Sequence, residues 1–151
     1  MTVTSLRAQE NVEDSRWETA VRCIKKYEGW HGPEHHPYVA YGHRIRKGEK
    51  FPARLTESEG DSILRKDLKE MCILFRHLGK DSLLIACLAY QVGPYRLLGY
   101  GRIPKSTLIR KLEAGNRDIY VDFIRYCYYK GKKIPSIERR REEEYRLLFM
   151  P

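Results

Sequence analysis

Tyr27-Glu28-Gly29-Trp30, followed by Pro37-Tyr38-Val39-Ala40-Tyr41-Gly42-His43, sets a carboxylate at a helix end beside a short aromatic segment. Apolar residues at Trp17, Ala20, Val21 and Ile24 follow the helical repeat, and Glu28 continues their stripe one turn beyond Ile24. A carboxylate on a core-facing stripe costs free energy unless it is partnered or protonated. Glu28 is therefore either a proton donor in an apolar surround or the partner of an arginine, Arg140 for example. Gly29 stops the helix. His31 to Pro37 is a loop, because two prolines and a glycine forbid regular structure there. Tyr38 to Ala40 has strand character, and Lys47-Gly48-Glu49-Lys50 is a turn signal, which together predict a small β-hairpin over 38–51.

Working outward, residues 1–13 are polar and unpatterned and read as a flexible leader. Ser15 with Glu18 is a capping-box signature that predicts a helix start near Ser15. Thr56 with Glu59 is a second one, opening a long helix with Ile63, Leu64, Leu68, Met71, Cys72, Phe75 and Leu78 on its apolar face, closed by Gly79. Asp81 caps a helix over 82–91 that is apolar on every side, the pattern of a central buried helix. Residues 95–105 form a loop, and Ser106 caps a short helix carrying Leu108, Ile109 and Leu112. Further helices are expected over 116–129 and 137–149, separated by a basic loop from Gly131 to Pro135. Residues 14–151 contain no repeat and no linker and read as one domain, α+β in class and predominantly helical.

Lys plus Arg is 29 against 20 for Asp plus Glu, a net charge of +9 that favours anionic partners: nucleic acid, an acidic membrane surface or an anionic wall polymer. The 42% hydrophobic content excludes a wholly disordered chain. The longest apolar run, Leu83 to Tyr90, is too short to span a bilayer. The N-terminus has no hydrophobic signal core, so export would require a signal from outside this sequence. Cys23, Cys72, Cys87 and Cys127 match no metal spacing and read as small buried thiols, with a disulfide open to an exported form. His31-Gly32-Pro33-Glu34-His35 matches a zinc-protease string, but that string needs a helix, which Gly32 and Pro33 oppose, so no metal is expected.

The order of these pieces resembles the phage-type lysozymes, the endolysin muramidases related to glycoside hydrolase family 24. The likeness rests on a helix ending Glu28-Gly29, a β segment ending Tyr41-Gly42-His43, and Leu55-Thr56-Glu57-Ser58-Glu59 opening a long helix. It continues through Leu88-Ala89-Tyr90-Gln91-Val92-Gly93, Ser106-Thr107-Leu108 with Leu112-Glu113-Ala114-Gly115, and Arg139-Arg140-Arg141 with Glu144. The resemblance implies a lysozyme-like fold with a small N-terminal β-hairpin and a helical C-terminal lobe. It also implies hydrolysis of the β-1,4 bond between N-acetylmuramic acid and N-acetylglucosamine in peptidoglycan, by a monomer without cofactor. Glu28 takes the place of the family's essential acid. The family places an acidic residue and then a threonine between that acid and the Tyr-Gly-His. Here the loop is shorter, no Asp lies between Glu28 and His43, and Tyr38 stands at the threonine position.

The candidate catalytic residues are therefore Glu28, Glu34 and His43. Glu34, the only carboxylate in that interval, is either an aligner of water or a solvated loop charge. His35 and His36 are weaker candidates for a base, and His43 either acts chemically or braces the hairpin. Tyr38 would stack on sugar, and Gln91, Tyr95 and Ser106 would border the binding cleft, Gln91 facing an N-acetyl group or a peptide stem. Location follows the lysozyme reading: periplasmic or wall-facing with an added signal, cytoplasmic until release without one. Two rivals remain, a lysozyme-fold protein that binds peptidoglycan without cleaving it and a basic nucleic-acid binder.

Overall fold

The structure, a computed structural model, describes residues 2–151. The described residues fall into two compact units divided between Glu70 and Met71.

The first unit is built on α1 (Val3–Glu28) and the start of α2 (Glu57–Leu74). α1 begins at Val3, not near Ser15, so most of the expected leader is helical. The physical reason is local: no Gly or Pro interrupts residues 3–14, and Thr2 caps the helix by accepting a hydrogen bond from the Ser5 amide at 3.3 Å. Ser15 is thereby interior, and its carbonyl accepts from Thr19 Oγ1 at 2.9 Å. Ala20, Val21 and Ile24 of the expected stripe are buried, with Cys23 beside them, while Trp17 is half-buried. At α2 the expected capping box forms in both directions. The Thr56 amide donates to Glu59 Oε1, and the Glu59 amide to Thr56 Oγ1, each at 3.1 Å.

α1 and α2 exchange charges across their shared face. Lys25 reaches Glu57 at 2.9 Å and Asp61 at 2.6 Å, while Arg65 reaches Glu18 at 2.6 Å and, within α2, Asp61 at 2.7 Å. Between the helices, Pro33–His35 is a 3-10 turn. β1 (Tyr38–Val39) and β2 (His43–Arg44) pair antiparallel, Tyr38 opposite Arg44 and Val39 opposite His43. The hairpin is tighter than the expected 38–51: its turn is Ala40-Tyr41-Gly42, with φ of 54° at Ala40 and 90° at Gly42. Lys47-Gly48 makes a separate turn closed by Glu49, whose carboxylate accepts from the Arg46 amide at 2.6 Å.

The second unit centres on α3 (Ser82–Val92), in which Leu83 through Ala89 are all buried. α4 (Tyr95–Leu98) is a single turn inside the expected loop, and α5 (Thr107–Glu113) follows it. The helix expected over 116–129 is reduced to α6 (Tyr120–Ile124). Its tail is instead a hairpin of β3 (Tyr128–Tyr129) and β4 (Lys132–Lys133), turned at Lys130 (φ 49°) and Gly131 (φ 77°). Successive positive φ angles are what a two-residue hairpin turn demands. α7 (Pro135–Leu148) packs on α3 and α6 and brings Arg140, Arg141 and Glu144 inside. Arg141 Nε lies 2.8 Å from Glu144 Oε1. Asp81, buried at the start of α3, takes both arms of Arg117 at 2.7 and 2.9 Å. The described residues form seven α-helices and two small antiparallel pairs, so the fold is α+β and predominantly helical, consistent with the lysozyme-like architecture. Cys23, Cys87 and Cys127 are buried, and burial pushes the half-buried Cys72 thiol up to about 11.

Candidate active site

Glu28 is the last residue of α1 and is half-buried. Gly29 ends the helix at φ 68°, its amide donating to the Lys25 carbonyl at 3.1 Å, and turns the chain into Trp30. The Glu28 carboxyl group lies against the backbone of Gly42. A Cβ at residue 42 would stand 2.9 Å from Glu28 Oε2 and 3.4 Å from its Cδ. The helix end at Glu28 and the Tyr41-Gly42-His43 segment are therefore in contact. Gly42 is required twice, for its φ of 90° and for the room its missing side chain gives the carboxylate.

His43, the next residue, is buried. Its Nδ1 lies 2.6 Å from Asp67 Oδ2 and its Nε2 2.9 Å from Glu49 Oε1. Burial raises the Asp67 carboxyl above the usual carboxylate range, against the pull of His43, whereas the bond to His43 holds Glu49 below it. Each ring nitrogen of His43 is thus engaged by a carboxylate. Its ring also meets Phe51 edge-on at 5.6 Å, so it ties β2 both to α2 and to the turn beyond the hairpin.

Glu34 sits in the exposed 3-10 turn. Its carboxylate folds over Gly32, where a Cβ would meet Oε2 at 2.6 Å, and lies 3.3 Å from His35 Nδ1. The His35 Nδ1 in turn accepts from the Gly32 amide at 3.2 Å, and His36 is exposed beside it. Tyr38, on β1, is 40% exposed, its ring tilted against His31 at 6.2 Å. Tyr38 and Trp30 are among the walls of a pocket of about 440 Å³.

The remaining candidates belong to the second unit. Gln91, in the last turn of α3, is exposed, and its side-chain oxygen accepts from Nη2 of the buried Arg141. Ser106 caps α5, Oγ accepting from the Ile109 amide at 3.2 Å. Tyr95 is exposed at the start of α4, 5.4 Å from the Tyr100 ring. Asp67 and Glu49 are the partners that sequence reasoning missed. The available signal for Asp67 was an acidic residue immediately before Leu68 on the buried stripe of α2.

Among the described residues no helix is long and apolar enough to cross a membrane, and no cluster of His, Cys, Asp and Glu is suited to hold a metal ion. The family model described as phage lysozyme matches residues 24–144, a span that contains Glu28, Glu34, Tyr38, His43, Gln91 and Ser106. No curated protein matches the chain.

Proposed function

The chain belongs to the phage lysozyme family, and on that premise we propose that it is a muramidase acting on peptidoglycan with Glu28 as its general acid. The bond cleaved is the β-1,4 link from N-acetylmuramic acid to N-acetylglucosamine. The observation that carries this reading is the seating of the Glu28 carboxyl group against Gly42, at the end of the stripe of α1. A positioned acid is the first requirement of glycoside hydrolysis. Glu28 gives its proton to the glycosidic oxygen as the bond to the anomeric carbon breaks. Water adds to that carbon, and its proton is lost to a base. Glu34 is the loop carboxylate proposed to orient that water, after swinging away from Gly32. His43 acts as a brace on the hairpin that holds Gly42 in place, and Tyr38, Gln91 and Ser106 are proposed to contact the glycan or its peptide stems. No cofactor is required, and the single domain and monomeric state read from the sequence belong to this proposal.

The test is the clearing of a suspension of purified peptidoglycan. Wild type should lower its turbidity, and Glu28→Gln should reduce the rate by roughly 10²–10⁴, the usual contribution of a positioned acid or base. Equal rates for the two proteins would overturn the assignment. A second reading, wall binding without cleavage, is favoured by the absence of an Asp between Glu28 and His43 and by the folded-back Glu34. It would be supported if wild type sediments with intact wall but releases no reducing ends.

A further inference from the structure

The pocket of about 440 Å³ in the first unit does not include Glu28, although it begins two residues after it at Trp30. Its aromatic walls are Trp30, Tyr38 and Phe51, and its polar groups include His31, His36 and Arg54. No acidic side chain lines it, and Arg54 makes no ion pair or side-chain hydrogen bond among the described residues.

Trp30 is not a loose surface ring. The edge of its six-membered ring rests on Gly60 of α2, where a Cβ would meet Cζ3 at 2.5 Å and Cη2 at 2.7 Å. Tyr41 meets it edge-on at 5.2 Å. The indole is thus fixed by its neighbours yet 41% exposed. On the same pocket, the His31 ring is held through Nδ1, 3.2 Å from the Ala40 carbonyl. Fixed aromatic faces with a few placed polar groups are the usual construction of a site for a saccharide-sized ligand. A neutral sugar needs only the faces and hydrogen bonds. An unpaired guanidinium adds a preference for a carboxylate.

We propose that this pocket is a saccharide subsite that stacks an N-acetylhexosamine on Trp30 and selects a carboxylate-bearing one, such as a muramic unit whose lactyl group carries no peptide stem, through Arg54. This rests on the muramidase reading for its ligand class but not on Glu28 for its binding. The volume of the pocket and its three aromatic walls suit a sugar ring rather than an isolated anion, which would leave those walls without a partner.

The experiment is titration by calorimetry of the full chain carrying Glu28→Gln, to prevent turnover, with tri-N-acetylglucosamine and with a muramic-acid-containing disaccharide. Both sugars should bind, the muramic one more tightly. Adding Arg54→Gln should weaken the muramic sugar about tenfold, the scale of one charge-assisted contact, and leave the neutral trisaccharide unchanged. Trp30→Phe, which keeps a ring on Gly60, should weaken both, and circular dichroism establishes that it is folded. The proposal is overturned if Arg54→Gln weakens both sugars equally or neither, or if a folded Trp30→Phe binds both like its parent. Selective binding with no wall clearing by wild type would sink the muramidase reading and leave the subsite standing. Clearing by wild type with no Arg54 effect does the reverse.

Discussion

Asp67 and His43 approach to 2.6 Å, Oδ2 to Nδ1, with both side chains largely withdrawn from water. Glu49 Oε1 takes the other nitrogen of the same imidazole, Nε2, at 2.9 Å. One ring therefore fixes the hairpin to α2 and to the following turn. Replacing His43 by Ala leaves the withdrawn Asp67 without its closest partner, and about 3 kcal/mol of unfolding free energy should be lost. Urea denaturation measures it. A loss below about 1 kcal/mol would show the contact to be incidental. Below its melting temperature His43→Gln should still clear peptidoglycan, because the ring acts as a brace; complete inactivity in a folded variant would return His43 to the chemistry.

Gly42→Ala places a methyl group 2.9 Å from the Glu28 carboxylate and forces alanine to a φ of 90°. Stability should fall by about 1 kcal/mol or more. Wall clearing should fall on the order of 100-fold, the cost of displacing a reacting group by an ångström. Unchanged clearing by the variant would detach Gly42 from the function of Glu28.

Gly60→Ala tests the seat of Trp30. Its methyl group would enter the indole edge at 2.5 Å, so the ring must move. The near-ultraviolet dichroism of tryptophan should change, while the far-ultraviolet helix signal should not, because alanine is the better helix former. An unaltered near-ultraviolet spectrum would mean that the ring is not held there.

The α1–α2 ion network sets an acid limit. Arg65 holds Glu18 and Asp61 below the ordinary carboxylate range, with Lys25 adding to Asp61, and Lys25 holds Glu57 there. A carboxylate with a depressed folded pKa contributes stability above its unfolded value and loses it as pH falls through the folded one. Asp67 has the opposite sign: its raised value means that its contribution declines as pH rises through that value. Melting temperature should therefore drop as pH falls below about 4. Asp61→Asn should flatten that drop, and an unchanged acid slope in the variant would assign acid sensitivity elsewhere.

Much of this molecule was legible because its signals are local. The Thr56–Glu59 box, the Ser106 cap and the uniformly apolar α3 depend on spacing alone, and each is present where spacing put it. The start of α1 was not, because the Ser15–Glu18 pair mimics a cap while the chain before it is equally able to form helix. The β3–β4 hairpin was hidden because Lys130-Gly131 is a weaker turn signal than Asn-Gly, and the preceding run from Ile119 to Cys127 has helical spacing. At the candidate site, Glu28 stood out as a carboxylate on an apolar stripe. Its seat on Gly42, and the hold of Asp67 on His43, link residues far apart in the chain, and no periodicity encodes such pairings.

The charges traded between α1 and α2 also act as an alignment code. Glu18 faces Arg65 while Lys25 faces Glu57 and Asp61, so the helices run in opposite directions with opposite signs matched at both stations. Sliding α2 along α1 by one turn, about 5.4 Å, would bring Asp61 toward Glu18 in one direction and Arg65 toward Lys25 in the other. Either slip sets like charges together at the same moment that it breaks the matched ones. The apolar stripes alone tolerate such a slip, because they repeat along both helices. The charge order does not, and it is this order that fixes how far along α2 the end of α1, and with it Glu28, comes to rest.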